Sequence, residues 1–445
     1  MQRGLARSGC HVTGGNVAQS FKNILARSAK GVGGLKVVSL GLGFLTSILV
    51  ARALGPDGYG QYALVTTIIS LLALPLYAGM PSLLVREVAR LSMDRDWALL
   101  IGLRRRASQL IGTGTGLIVL GVFLVWSHKT YPRDSSMIWL LLMSTPLAPL
   151  MAFNKTRSAV LRGFKKVVMS QLPETIVQPM VHVLLLAGLV WFSMLTVETA
   201  LFSLMIGIFV AFLVGHYFLR RELVGRVIKA PPKYQTREWL VSLTPFTAIA
   251  AIFILNNQVS TVLLGWLSEP REVGYFRVAD RVAQLVVFSL SIVNLISAPH
   301  MAEAAKSGNY LQLEEIARHS VRLSLLISLP LALILIVFGR SIIGLSFGDE
   351  FRDPVWLPLV ILCIAQLCNV FFGSVGTLLN MSGHERDTLV GVVLGLAVNT
   401  VMASFLIPAH GVNGAAMGAA TGILVWNIYL AYCVKKRLRI RTTPI

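Results

Sequence analysis

The stretch GGLKVVSLGLGFLTSILVARALGPDGYGQY, residues Gly33–Tyr62, decides the fold of this chain. It begins with an apolar run of about 20 residues, the length that a helix needs to cross a bilayer. A Gly-Pro turn at Gly55-Pro56 ends this run, and a second apolar run follows. Apolar runs and polar connections alternate in this way to the C-terminus, which predicts an all-α polytopic membrane protein with about twelve membrane-spanning helices.

The positions of the apolar runs give the predicted spans. They are 33–53, 61–80, 107–126, 136–156, 172–192, 197–219, 240–267, 280–300, 321–345, 355–380, 388–408 and 412–434. Twelve spans of about 20 residues leave only short connections. Any functional site is therefore expected inside the membrane bundle.

Lysine and arginine are distributed unevenly between the connections. When the connections are assigned alternately to two sides, 32 of the 40 basic residues fall on one side and 8 on the other. Short cytoplasmic loops accumulate basic residues, so the richer side is predicted to be the cytoplasm, with both termini there. The net charge of +20 then reflects topology and attraction to anionic lipid, and nucleic acid is not an expected partner.

The basic connection Arg220–Arg237, which contains Pro231-Pro232, divides the chain into two halves of six spans. The predicted divisions are a basic tail at 1–32, lobes at 33–230 and 231–434, and a second basic tail at 435–445. We interpret the first tail as a disordered segment, although its composition is also typical of an organellar transit peptide.

The two halves carry a related motif. Pro56 and Gly60 follow span one, and Pro270 and Gly274 follow span seven, with one offset of 214 residues. Elements separated by six spans keep the same orientation in the membrane. The repeat is therefore expected to be parallel, with two lobes on either side of a cleft.

The sequence contains no pattern that predicts a metal site, a cofactor or a disulfide framework. The eight histidines are scattered, and the four cysteines form no CxxC pair. These cysteines are Cys10, Cys363, Cys368 and Cys433. A structural or catalytic metal site needs closely spaced ligands, so we expect none.

Five motifs occur in a recognisable order along the chain. They are VARALGPDGYGQY (Val50–Tyr62), LLVREVAR (Leu83–Arg90), VGYFRVADR (Val273–Arg281), TLLNMSGHER (Thr377–Arg386) and GVNGAAMG (Gly411–Gly418). Together they resemble the polysaccharide flippase family, the O-antigen and exopolysaccharide translocases. That family belongs to the multidrug/oligosaccharidyl-lipid/polysaccharide exporter superfamily. The resemblance extends from about Gly33 to Val434.

This resemblance implies two six-helix lobes that form a V around a central cavity, in the inner membrane of a bacterial cell. It implies a flippase that moves a polyprenyl-diphosphate-linked oligosaccharide, a polysaccharide repeat unit, from the cytoplasmic to the outer leaflet by alternating access. The partners expected with it are this substrate, membrane lipid, a polysaccharide polymerase and chain-length proteins. Many relatives carry an Asp in span seven where this chain has Ser260, so a cation-coupling scheme that needs an acid there is not supported.

Cationic side chains inside the bundle are the expected ligands of the diphosphate. A charge within a membrane is costly unless it faces water or a partner, and the planar fork of arginine suits phosphate oxygens. The candidates are Arg52, Arg86, Lys155, Arg157, Arg277 and Arg281. Each of them has an alternative role as a charge at the membrane interface, and Arg277 and Arg281 are also placed to pair with Asp280.

Polar side chains in span seven are a second set of candidates. Amides and hydroxyls within hydrocarbon need partners, so they face either a cavity, where they would suit sugar hydroxyls, or another helix. The set comprises Asn256, Asn257, Gln258 and Ser260. His182 in span five is interpreted as a packed polar residue rather than a proton carrier.

Three other functions compete with the flippase. An exporter of drugs or small cations from the same superfamily would want acidic residues inside the bundle. A membrane enzyme that polymerises or ligates glycan would need a substantial outer loop with catalytic groups, whereas the connections Ser127–Ser135 and Ser346–Pro354 contain only about ten residues. A peptidoglycan lipid flippase usually has more than twelve spans. We therefore predict a flippase rather than an enzyme.

Overall fold

The computed structural model describes residues 14–127, 136–224 and 231–440 of the chain. Within these ranges every regular element is helical and no strand occurs. The all-α fold predicted from the apolar runs is confirmed.

The helices follow one another with short connections. Those of the N-terminal half are α1 (Gly14–Tyr77), α2 (Met80–Asp94), α3 (Trp97–Ser127), α4 (Ser136–Ser144), α5 (Leu147–Gly163), α6 (Val167–Leu172), a π-helical turn (Pro173–Val177), α7 (Gln178–Trp191) and α8 (Val197–Val224). Those of the C-terminal half are α9 (Thr236–Leu267), α10 (Pro270–Lys306), α11 (Tyr310–Phe347), α12 (Asp349–Phe372), α13 (Val375–Met381) and α14 (Glu385–Leu438).

Glycine kinks divide the longest helices. α1 bends at Gly55, where φ is 66°, and Pro56 disfavours the helical conformation at the residue before it. α14 bends at Gly411, where φ is 53°. Among the described residues, ten helical stretches are long and apolar enough to cross a membrane. The two kinks each divide one stretch into two crossings, which gives the twelve predicted spans.

The fourth span extends beyond its predicted end. The prediction places this end at residue 156, whereas α5 continues to Gly163. Asn154, Lys155 and Arg157 lie inside the helix because each has a hydrogen-bonding partner on a neighbouring element. A sequence shows the polarity of these side chains but not the partners that make them compatible with a helix interior.

The predicted tails at both ends are partly helical. α1 begins at Gly14, so the prediction of a disordered segment at 1–32 is wrong for its second half, where Ala, Leu, Lys and Arg favour a helix. Residues 1–13, with Cys10, lie outside the described part of the chain. At the other end α14 continues to Leu438, within the predicted tail at 435–445, and residues 441–445 lie outside the described part.

Each half packs mainly on itself. In the N-terminal half α5 packs on α2 and α8, and α7 packs on α8. In the C-terminal half α10, α11 and α12 pack together, and α14 packs on α9 and α12. The halves meet where α1 packs on α10 and α9.

Candidate functional site

A cavity of about 940 Å³, the central cavity, lies between the two halves. Its walls are formed by α1, α7 and α8 of the N-terminal half and by α9, α10, α12 and α14 of the C-terminal half. Because helices from both halves line it, any relative motion of the halves changes its shape.

The charged side chains of the central cavity lie together on α10. Arg277, Asp280 and Arg281 all line it. Asp280 accepts a hydrogen bond from Gln284 Nε2 at 2.8 Å, and no described carboxylate lies within ion-pair distance of either arginine. The ion pair within α10 that the sequence offered as an alternative is therefore absent from the described structure. Two cations and one acid give this part of the wall a net positive charge.

Arg281 reaches across the cavity to the N-terminal half. Its guanidinium lies against Gly43 of α1, where a Cβ atom would overlap with Nη2. The buried Nε of Arg281 has no hydrogen-bond partner among the described residues. One donor of this cation is thus left unsatisfied by the described residues.

The four polar residues of span seven all line the central cavity. Two of them also bond to another helix. Gln258 Oε1 accepts a hydrogen bond from Thr67 Oγ1 at 3.4 Å, and Ser260 Oγ lies 3.2 Å from Asn399 Oδ1. Asn257 donates to the Phe253 carbonyl within its own helix at 2.8 Å, and Asn256 completes the set. The two roles expected from the sequence are combined at this wall.

Four further polar residues are part of the lining. Tyr62 lies on the N-terminal side, and Gln366, Asn369 and Asn399 lie on the C-terminal side. None of these four is among the candidates predicted from the sequence. Spacing within one helix could not identify them, because they converge from different helices.

His182 lies on the same wall as Tyr62, with ring centroids 6.5 Å apart. Its side chain is buried, as expected of a packed polar residue. The sequence interpretation did not place it beside the cavity, since the position of a helix relative to its neighbours is not visible in the spacing of its residues.

Three of the predicted cations lie on the surface or in local ion pairs, outside the central cavity. Arg52 is exposed. Arg86 Nε lies 3.0 Å from Glu87 Oε1, and its guanidinium lies 5.4 Å from the ring centroid of Phe246. Lys155 Nζ lies 2.6 Å from Glu174 Oε2.

Arg157, the last of the predicted cations, is buried between α5 and α8, on a second and smaller cavity. This second cavity shares no lining residue with the central cavity. The six predicted cations are therefore not one cluster. Arg277 and Arg281 are the two that the structure brings together on the central cavity.

The halves touch each other at one end of the central cavity, through the motif that repeats with an offset of 214 residues. A Cβ atom at Gly60 would overlap with the Pro270 carbonyl, and a Cβ atom at Gly274 would overlap with the Pro56 carbonyl. Each half thus presents its glycine to the proline of the other. This reciprocal contact is the geometry that a twofold relation between the halves requires, and it lies next to Tyr59 and Phe276, which line the cavity.

An ion pair spans the same contact. Arg271 Nη2 lies 3.0 Å from Asp57 Oδ2, and these two residues also differ by 214 positions. Both side chains are about half exposed. The pair therefore contributes little to stability.

In residues 14–127, 136–224 and 231–440, no three His, Cys, Asp or Glu side chains converge to hold a metal ion. The chemistry that the described site offers is that of arginine, amide and hydroxyl groups around a polar cavity.

Comparisons of the chain with known proteins agree with this architecture. A family model described as polysaccharide biosynthesis protein matches residues 32–304, more than half of the chain. The probable low-salt glycan biosynthesis flippase Agl15 of Haloferax volcanii is 25% identical over 255 residues, which cover 56% of this chain and 52% of that protein. The match thus spans about half the length of this relative.

Two solved structures show the fold. An inward-facing multidrug resistance MATE family transporter of the MOP superfamily superposes with a TM-score of 0.74 at 15% identity, covering 91% of this chain and 95% of that one. The lipid II flippase MurJ in an inward closed conformation superposes with a TM-score of 0.71 at 12% identity, covering 90% and 86%. The V-shaped bundle of two six-helix lobes predicted from the resemblance is confirmed.

Proposed function

The chain belongs to the polysaccharide biosynthesis protein family, and we propose that it is a flippase for a polyprenyl-diphosphate-linked oligosaccharide. The observation that carries this proposal is the central cavity. It lies between two lobes, its charged wall is net cationic, and the backbones of the two lobes touch beside it. The cationic wall suits a diphosphate head group, and the volume of about 940 Å³ suits a glycan. The position between two lobes suits alternating access.

The diphosphate would bind to the arginines of α10. Arg281 has an unpartnered Nε donor among the described residues and reaches the opposite lobe, while Arg277 lies about one helical turn away on the same wall. Arginine binds phosphate oxygens through two parallel N–H donors. A low-dielectric membrane environment makes such a pair stronger than it would be in water.

The glycan would occupy the polar remainder of the central cavity. Amide side chains from α9, α12 and α14 line this part, among them Asn257, Gln366 and Asn399. Amides can exchange hydrogen bonds with sugar hydroxyls at little net cost, because each bond to water that is lost is replaced by a bond to the sugar. The polyprenyl tail would remain in the bilayer.

Alternating access would proceed by separation of the lobes at the Gly60–Gly274 contact. The half-exposed ion pair Asp57–Arg271 at this contact costs little to break. Most of the cost of separation would lie in the buried apolar packing beside it, where Tyr59 meets Phe351 edge to face. We infer that this contact closes the end that carries Asp57 and Arg271, so that the cavity in the present conformation would open toward the opposite, basic end.

We assign the basic side to the cytoplasm, with both termini there, in a bacterial inner membrane, and the lobes to residues 33–230 and 231–434. The distribution of 32 and 8 basic residues supports this orientation. The outer leaflet product would then be taken up by a polysaccharide polymerase with its chain-length proteins.

The orientation predicts which cysteines a membrane-impermeant reagent labels. In a background with the four native cysteines replaced by serine, Lys166→Cys is expected to react only after permeabilisation. Arg271→Cys, at the opposite end of the bundle, is the matched control and is expected to react in intact cells. Labelling of Lys166→Cys from outside intact cells would show that the orientation is inverted.

Deletion of the gene is expected to block surface display of a polysaccharide without blocking its assembly on the lipid carrier. The measurement is radiolabelled sugar on polyprenyl diphosphate, which should accumulate in the inner leaflet and disappear when the gene is restored. Incomplete glycan in the deletion strain would point instead to a polymerase or ligase.

A drug exporter of the same superfamily is the main alternative, since the fold is shared with a multidrug transporter. The sign of the charge on the cavity wall favours an anionic substrate, because Arg277 and Arg281 outnumber Asp280. Unchanged glycan export together with increased sensitivity to cationic drugs in the deletion strain would favour the exporter.

A further inference from the structure

A second cavity lies within the N-terminal lobe, apart from the central cavity. It measures about 210 Å³ and is formed by α2, α3, α5 and α8. Its polar lining includes Arg104, Arg157 and His216, and none of its lining residues is acidic. Its volume is less than a quarter of that of the central cavity, which suits a phosphate group and excludes an oligosaccharide.

Arg157 is fixed in this cavity by the protein. It is 5% exposed. Nη1 donates to the Phe212 carbonyl, and Nη2 donates to Asn154 Oδ1 at 2.5 Å. The guanidinium packs over the Phe212 ring at 5.5 Å from the centroid, and a Cβ atom at Gly215 would overlap with it. The sequence thus makes room for an arginine and sets its orientation.

The two arginines of the cavity have no ion-pair partner among the described residues. Glu174 is paired with Lys155 at 2.6 Å, and no described carboxylate lies within ion-pair distance of Arg104 or Arg157. The Nε of Arg157 is buried and has no hydrogen-bond partner in the described part of the chain. A buried, unpaired cation is strongly unfavourable, so an anion that enters this cavity would be bound.

The surroundings of the cavity indicate a lipid as the source of that anion. Arg104 lies near the start of α3 and Leu219 near the end of α8, both at the basic end of the bundle. Towards the middle of the membrane, the same two helices expose large apolar side chains. These are Leu110 and Leu117 on α3 and Phe209 and Leu213 on α8. A phosphate head at the basic end and acyl chains along the apolar surface would match this order.

We propose that this cavity binds the phosphate of an anionic phospholipid from the leaflet at the basic end, with Arg104 and Arg157 as its ligands. The lipid would wedge between α3 and α8 and stabilise the N-terminal lobe. This site is separate from the proposed flippase site and does not depend on it.

The test uses the purified full-length protein, titrated with short-chain phosphatidylglycerol and followed by native mass spectrometry and by the midpoint of thermal unfolding. Arg104→Gln is the main variant, because Arg104 makes no ion pair or hydrogen bond within the described residues, and its replacement is therefore expected to leave the fold intact. Arg105→Gln is the matched control, since Arg105 is its exposed neighbour and does not line the cavity.

Arg104→Gln is expected to weaken phosphatidylglycerol binding about tenfold, the effect of losing one charge-assisted hydrogen bond. It should also remove the rise in unfolding temperature that the lipid produces. Arg105→Gln should retain both. Equal binding by the two variants would overturn the proposal, because only general electrostatic attraction would then remain. Tighter, Arg104-dependent binding of a short polyprenyl phosphate would also overturn it and assign the cavity to the carrier lipid.

Discussion

Arg281→Ala is expected to lower export of the lipid-linked glycan roughly 10- to 100-fold at normal protein abundance, the range for loss of a hydrogen bond to a charged group. The reason is that the guanidinium of Arg281 lines the central cavity and reaches Gly43 of the opposite lobe. Arg281→Lys is expected to retain partial export, because it keeps the charge and loses the planar fork. Export is measured as surface polysaccharide per molecule of protein in the membrane.

Two further variants connect this effect to the position of the guanidinium. Gly43→Val should reproduce the loss from the opposite lobe, since a side chain there displaces Arg281. Gly41→Val is the matched control, because nothing lies within 4 Å of a Cβ atom at this position. Arg52→Ala, an exposed arginine outside the cavity, should export normally. Normal export by Arg281→Ala at normal abundance would remove this residue from the proposed diphosphate site.

Gly60→Leu and Gly274→Leu are each expected to lower export roughly 5- to 150-fold, since overpacking of a close contact typically costs about 1–3 kcal/mol. A side chain at either position meets a backbone carbonyl of the other lobe, and backbone cannot move aside as a side chain can. The lobes should therefore no longer close at this end. A cysteine in the central cavity, Thr66→Cys, should become reactive from outside the cell.

Gly188→Leu is the control for a bulky residue within a span, because its Cβ position is open. It should leave export and labelling of Thr66→Cys unchanged. If Thr66→Cys is no more reactive from outside the cell in the Gly60→Leu background than in the parent protein, the Gly60–Gly274 contact does not close the cavity as we propose.

The sequence predicts those features that depend on neighbouring residues along the chain. Apolar length determines how many times the chain crosses, and the Gly-Pro pair at Gly55-Pro56 determines where the first crossing ends, because positive φ and the residue before proline are both local constraints. The repeat with an offset of 214 residues is visible in the sequence because each copy of the motif is itself a short local pattern. The depth at which a residue lies in the membrane could therefore be predicted well.

The direction in which a side chain points around its helix could not be predicted equally well. Arg157 and Arg281 were both candidates for the diphosphate, yet one lies in a small cavity within a lobe and the other in the cavity between the lobes. Their placement depends on Gly215 and Gly43, small residues on other helices that make room for each guanidinium. Such contacts join distant parts of the chain, and one sequence alone does not reveal them.

The reciprocal contact that Gly60 and Gly274 each make with the other lobe has the form of an isologous interface, in which one surface meets an equivalent copy of itself. Two separate copies of a half-length protein can make this contact. They cannot make the Asp57–Arg271 pair, because equivalent positions in two copies carry the same residue and like charges would meet. The glycine contact is thus compatible with an ancestral homodimer, whereas the ion pair requires that the two halves had already diverged in sequence.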